Sequence, residues 1–279
     1  VVNIRDLDPS ASPLDYYGSE LRRLREEAKL KQEDLGGIVF CTGSLIGQIE
    51  TARKVPTRDF SERIDAALGT GGMFSRLIGL VLRSQLPAWF QAYAEMEVKA
   101  TYISTFQAQL VYGLLQTPEY ARAVLQAGWS DKLDEAVAAW LERQRILSKA
   151  QPPLIWVVLD EAVLYRPFGG REVMRAQLDH LLGFADHREV RIQVLPFDAG
   201  QHPATVGSFN VLRFASDPDI VYAERYGSAD VTANPDTVRD CVHRYDHLQA
   251  AALSVEQSAA LIARVREERY GDHPEPDGR

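Results

Sequence analysis

Two short helical runs joined by a tight corner constrain the fold more than any other part of this chain. The first is Lys31-Gln32-Glu33-Asp34-Leu35 and the second is Ser44-Leu45-Ile46-Gly47-Gln48-Ile49-Glu50. Phe40-Cys41-Thr42-Gly43 makes the corner, with Thr42 placed to cap the second run. A helix entered through such a corner, with polar residues at its start, has the layout of a helix-turn-helix, whose second helix is presented to a DNA groove.

Helical spacing extends on both sides of this pair. Leu21, Leu24, Ala28 and Leu30 recur at near-helical intervals, with Arg22, Arg23, Arg25, Glu26 and Glu27 on the other face. A further helix is expected from Pro56-Thr57 to Leu68, stopped by Gly69-Thr70-Gly71-Gly72, and another from Met73 to Leu86 before Pro87. The expectation is an N-terminal all-α domain of four to five helices over residues 15–80, preceded by a flexible arm at 1–14.

The remainder changes character. Leu154-Ile155-Trp156-Val157-Val158-Leu159 is a continuous apolar run that reads as a buried strand, and Val190 to Leu195 alternates as a strand should. Strands are also expected at Tyr102–Leu110, Ser208–Phe214 and Ile220–Glu224. Helices are expected at Trp89–Lys99, from Thr117-Pro118-Glu119 onward, at Asp131–Lys149, Glu172–His187, Pro235–Ala252 and Ser254–Arg269. This predicts a larger mixed α/β domain over 85–270, for regulation and dimerisation, and a disordered tail at 271–279.

Net charge is −8 and unevenly spread: the first 76 residues are near neutral, and the rest carries nearly all of the excess. A near-neutral head on an acidic body fits a small DNA-contacting module whose body points away from the nucleic acid. Two cysteines, Cys41 and Cys241, read as thiols in a reducing cytoplasm. No apolar run reaches the roughly 18 residues of a membrane span, and Val1 to Pro9 lacks the apolar core of a signal peptide. A cytoplasmic protein without a membrane partner is expected.

Within the helix pair, Gln32 stands where it can bond a phosphate and brace the next helix, with Lys31 beside it. Gly36 and Gly37 are expected to face the tight crossing of the two helices. Gly43, Ser44, Gly47 and Gln48 follow the Thr42 cap, and Ser44, Gly47 and Gln48 are expected on the outer face. Leu45, Ile46 and Ile49 anchor the helix to the core. Gln48 is the strongest base-reading candidate because an amide pairs bidentately with adenine. Arg53 and Lys54, just past the helix, are placed for phosphates. The alternative is a helical module whose polar surface is simply hydrated.

Leu21-Arg22-Arg23-Leu24-Arg25-Glu26, Lys31 to Leu35, and Ile49-Glu50-Thr51-Ala52-Arg53-Lys54-Val55-Pro56 together resemble the lambda-repressor-like (Xre-type) DNA-binding domain. Gly36 replaces the usual alanine, and Cys41 an apolar residue at the turn. A second run, Val111-Tyr112-Gly113-Leu114-Leu115-Gln116-Thr117-Pro118-Glu119-Tyr120-Ala121, is similar to the signature of the long C-terminal domain of WhiJ-type regulators of actinomycetes. Tyr112 stands where that signature usually has proline. The two resemblances span about residues 15–270. They imply a transcriptional regulator of development or secondary metabolism. They also imply a small BldB-like partner protein, in an arrangement resembling an antitoxin with its toxin.

Other residues carry less. His243 and His247 lie one helical turn apart near Cys241 and Asp246, but a fourth zinc ligand is not evident and Arg244 adds positive charge. A polar helix face is the expectation there, with no metal and no cofactor. Glu95 and Glu97, two apart on a helix, point to different faces, which favours capping or ion pairing over acid–base chemistry. No nucleophile, acid and base converge in the sequence, so no enzyme is expected. The expected partners are double-stranded DNA bearing an inverted-repeat operator and a second copy of the chain, since one module buries too little surface for tight specific binding. A small-molecule effector of the body remains an open alternative to a protein partner.

Overall fold

The computed structural model describes residues 7–128, 132–225 and 227–271. The chain divides into two compact units, Val1–Gln91 and Ala92–Arg279. It adopts the expected combination of an all-α N-terminal region and a mixed α/β remainder.

The first unit contains α1 (Pro13–Glu27), α2 (Gln32–Ile38), α3 (Gly43–Glu50), α4 (Arg58–Leu68) and α5 (Met73–Ser84). Local signals set most of the boundaries. Ser12 caps α1 by accepting from the Asp15 N–H, and Pro13 occupies the first turn. Helix α1 therefore starts inside the stretch expected to be an arm. The expected arm's residues 1–6 lie outside the described residues. Thr57 caps α4, and Gly69 ends it at φ 65°, a left-handed conformation that costs glycine little. Tyr17, Leu21, Leu35, Ile46, Ile49, Phe60, Ile64, Phe74 and Ile78 form the core of this unit. Gly72, which precedes α5, offers no side-chain cap. Asp65 on α4 supplies one, accepting from the Phe74 and Ser75 N–H groups at 2.9 and 2.8 Å.

In sequence, α6 (Ala88–Lys99) leads into the second unit. There β1 (Tyr102–Gln107), β2 (Leu154–Asp160), β3 (Val190–Leu195), β4 (Phe209–Arg213), β5 (Ile220–Arg225) and β6 (Ser228–Thr232) form one sheet of order β3-β2-β1-β4-β5-β6. Strands β1, β2 and β3 run parallel, and β4, β5 and β6 continue antiparallel. The parallel half needs crossovers. These are supplied by α7 (Pro118–Ala127) and α8 (Leu133–Glu142) between β1 and β2, and by α9 (Ala162–Tyr165) and α10 (Arg171–Leu182) between β2 and β3. Two helices close the described chain, α11 (Pro235–Ala251) and α12 (Val255–Tyr270). Phe106, Val158, Leu195, Phe209, Val211 and Val221 pack with Tyr245 and Leu248 of α11. The outer edge of β3 is occupied at Val194, whose N–H donates to Ser258 Oγ and whose carbonyl accepts from the Leu253 N–H, both at 2.9 Å. Among the described residues β6 pairs only with β5.

Several elements differ from expectation. The single long helix expected to Lys149 ends at Glu142 and tightens into a 3-10 helix over Arg143–Ser148; its expected first residue, Asp131, lies outside the described residues. The tighter winding accompanies side-chain bonds that Arg143 and Gln144 make to distant partners. Helix α10 ends at Leu182, where the Gly183 N–H is shared among preceding carbonyls, and shorter turns follow to His187. Strand β6 was not expected at all. Ser228-Ala229-Asp230 has little β preference, and pairing with β5 supplies what local preference does not.

Candidate nucleic-acid interface

The corner between α2 and α3 is built by close backbone approach. A Cβ on Gly36 would lie 2.8 Å from the Cys41 carbonyl oxygen and 3.0 Å from the Gly43 nitrogen. One on Gly43 would meet the Glu33 backbone nitrogen at 2.9 Å, and one on Gly47 would meet Gln32 Oε1 at 3.0 Å. These three glycines therefore line the seam between the helices. Gly37, expected to share that seam, has open space where its side chain would be. Gly47, expected to look outward, turns its Cβ direction toward the Gln32 amide.

The seam is locked by a buried charge. Glu50, fully buried at the end of α3, accepts from Arg25 Nε at 2.5 Å and Nη2 at 3.0 Å, and from Gln32 Nε2 at 2.8 Å. Arg25 also donates to the Leu30 carbonyl at 2.8 Å. Hydrogen bonding to Glu50 raises the guanidinium pKa above its ordinary value against the cost of burial. One bidentate pair and one amide thus tie α1, α2 and α3 together. Gln32 does brace the next helix, as expected. Arg25, expected on the polar face, is buried instead. Its position four residues after Leu21, one helical turn along the same stripe, was the available signal.

Both ends of α3 are set locally. Thr42 Oγ1 accepts from the Leu45 N–H at 3.2 Å. At the far end Ala52 takes φ 54°, and the Arg53 and Lys54 N–H groups both return to the Gln48 carbonyl, at 2.9 and 3.3 Å. Arg53 and Lys54 are thereby held directly past the helix. Thr42, Ser44, Gln48, Arg53 and Lys31 are exposed, whereas Gln32, Gly43, Gly47 and Lys54 are half-buried. Gln48 Nε2 lies 3.5 Å from Ser44 Oγ.

The second unit has its own polar cluster, of which sequence reasoning anticipated only the ion pairing of Glu97. Arg143 and Glu97 form a buried bidentate pair, and Tyr112 OH donates to Glu97 Oε1 at 2.9 Å. Asn210 Nδ2 donates to Tyr93 OH at 2.8 Å, and Thr105 Oγ1 donates to Asn210 Oδ1 at 2.6 Å. Burial first, then the Glu97 carboxylate, push the hydroxyl pKa values of Tyr93 and Tyr112 well above the usual tyrosine range, so both stay neutral donors. Around them the 111–117 segment is pinned by glutamines. Gln116 bonds the Val111 carbonyl, Gln144 those of Gly113 and Gln116, and Gln177 the Leu115 carbonyl and the Thr117 N–H. Tyr112 takes φ −55°, an angle proline also prefers, and its hydroxyl adds a bond that proline has no group to make. Among the described residues no three His, Cys, Asp or Glu side chains group as a metal site, and His243 and His247 are exposed on α11. Cys41 and Cys241 are unpaired thiols. No helix among the described residues is long and apolar enough to cross a membrane.

The first unit is, by its fold and its corner, a helix-turn-helix, and residues 17–73 match the helix-turn-helix domain family. Residues 90–264, more than half of the chain, match the family described as domain of unknown function DUF5753, and the chain belongs to that family. No curated protein and no solved structure matches it.

Proposed function

We propose that this protein is a sequence-specific DNA-binding transcriptional regulator that inserts α3 into the major groove. The observation that carries this reading is the pairing of a rigidly held α3 with an exposed edge of Ser44 and Gln48. Glu50, Arg25 and Gln32 fix the helix, and Arg53 and Lys54 follow it where phosphates would lie. Lys31, Gln32, Thr42 and Gly43 complete the proposed contact set, the last through its backbone, and Gly47, turned toward the Gln32 amide, is left out of it. The acidic body has no part in contacting DNA. It dimerises the chain and responds to a signal, so that two heads read an inverted repeat with half-sites about 34 Å apart. Such a protein works in the cytoplasm as a binding protein without cofactor and not as an enzyme. The resemblance to WhiJ-type regulators of actinomycetes adds the narrower role in development or secondary metabolism. It also supplies the alternative of an antitoxin-like module that tethers a small BldB-like partner.

Footprinting on inverted repeats together with sedimentation tests the reading. A dimer at micromolar concentration that protects two half-sites supports it. A monomer protecting one half-site removes the dimer, and no protection of any duplex at low salt removes DNA binding.

A further inference from the structure

The chemistry of the exposed edge of α3 narrows what it can read, given the DNA-binding reading above. The sole charged residue between Gly43 and Glu50 is Glu50 itself, and it is withdrawn into the ion pair with Arg25. Gly43 and Gly47 direct their Cβ positions at α2. Ile46 and Ile49 are buried, and Leu45 packs against the core. The exposed side chains of the helix are therefore Ser44 and Gln48, one neutral hydroxyl and one neutral amide.

Guanine presents only acceptors, N7 and O6, to the major groove, and its usual partner is a two-donor cation, arginine or lysine. Helix α3 has no such cation. Adenine presents an acceptor, N7, beside a donor, N6, and a carboxamide matches that pair in one plane. Gln48 Nε2 has two N–H groups. Ser44 Oγ, 3.5 Å away and one turn earlier on the same face, sits where it can hold one of them. The second N–H and the carbonyl Oε1 remain for a base.

We propose that α3 reads adenine through Gln48, with Ser44 as the positioning residue that orients the amide, and that the helix lacks the two-donor cation that reads guanine bidentately. The sequence-specific core of each half-site is then short, and the remaining affinity comes from phosphate contacts and from doubling of the site.

The test is selection of duplexes from a random pool by the full chain, followed by affinities for single-base variants of the selected site. Wild type is expected to prefer adenine over guanine at one position per half-site by about 5- to 150-fold, the range for one bidentate pair. Gln48→Ala should bring that ratio toward one while leaving other positions unchanged, and Gln48→Arg should shift the preference to guanine. Ser44→Ala should lower the ratio, and Ser44→Thr should restore it. Guanine at the Gln48-dependent position, or an adenine preference that survives Gln48→Ala, overturns the proposal. No enrichment of any duplex overturns instead the DNA-binding reading on which it rests. Both residues are exposed, and thermal melting checks that each variant is folded.

Discussion

Arg143 reaches Glu97 through two buried hydrogen bonds, Nε to Oε2 at 2.9 Å and Nη2 to Oε1 at 2.8 Å, joining two segments 46 residues apart in sequence. Such a pair is costly to bury and more costly to break, because the surviving charge keeps its desolvation penalty without its partner. Glu97→Ala should lower the stability of the body by about 3–5 kcal/mol. Replacing both residues by apolar side chains of similar volume should recover much of that loss. Denaturant unfolding of the single and double variants checks this, and equal loss in both would rule out the uncompensated charge as the cause.

Gly36 and Gly37 are adjacent in α2 but face different surroundings. Alanine at an unconstrained helical site gains about 0.5–1 kcal/mol over glycine. Gly37→Ala should show that gain. Gly36→Ala should instead destabilise by roughly 1–3 kcal/mol, the usual cost of overpacking, since its methyl would press on the Cys41 carbonyl at 2.8 Å. Opposite signs in thermal melts are the expected outcome.

Phe40 holds φ 56° at the corner of the helix pair and is 85% exposed. A left-handed conformation costs a residue with a Cβ about 1–2 kcal/mol, and an exposed ring recovers little. Phe40→Gly should therefore stabilise the protein by about 0.5–1 kcal/mol after the greater entropy of the unfolded glycine is counted. An unchanged or lowered melting temperature would mean that the ring packs on something in solution.

The Asp65 carboxylate makes the stability of the first unit depend on pH in acid. Burial opposes its ionisation. Hydrogen bonds from the Ser75 and Thr70 side chains, and from the Phe74 and Ser75 N–H groups, outweigh burial and hold its pKa below the ordinary 3.8. A depressed folded pKa gives stability that is fully present above pH 3.8 and is lost as pH falls through the lower folded value. Asp65→Asn should be less stable at neutral pH and should flatten the fall in melting temperature over that acid window.

Arg53 is exposed immediately past α3. If it contacts phosphate, Arg53→Ala should weaken binding to all duplexes alike and reduce the salt slope of log affinity by about 0.9. A change confined to particular sequences would place its guanidinium on a base.

The parts of the fold legible from sequence are those whose cause is local. Thr42, Thr57 and Thr117 each cap the helix that their position announced, and the apolar spacing around Leu35, Ile46 and Ile49 marks the core they form. The signals fail where a distant partner decides. Arg25 looks like surface until Glu50 is found opposite it. Gly47 looks outward until the Gln32 amide fills its space. The helix beyond Glu142 is given up for bonds from Arg143 and Gln144. Strand β6 is too polar to announce itself and exists through its ladder with β5.

The two borders of the sheet are unequal. Ser258 and Leu253 occupy the backbone of Val194 on one side, while on the other Ser228–Thr232 has a ladder on only one flank among the described residues. A ribbon that can accept a neighbour at one margin alone can be extended once. Head-to-head union through β6 consumes both open margins and terminates, whereas a fibre needs two receptive margins on every subunit. Occupation of Val194 thus closes that point of the β3 margin to strand addition.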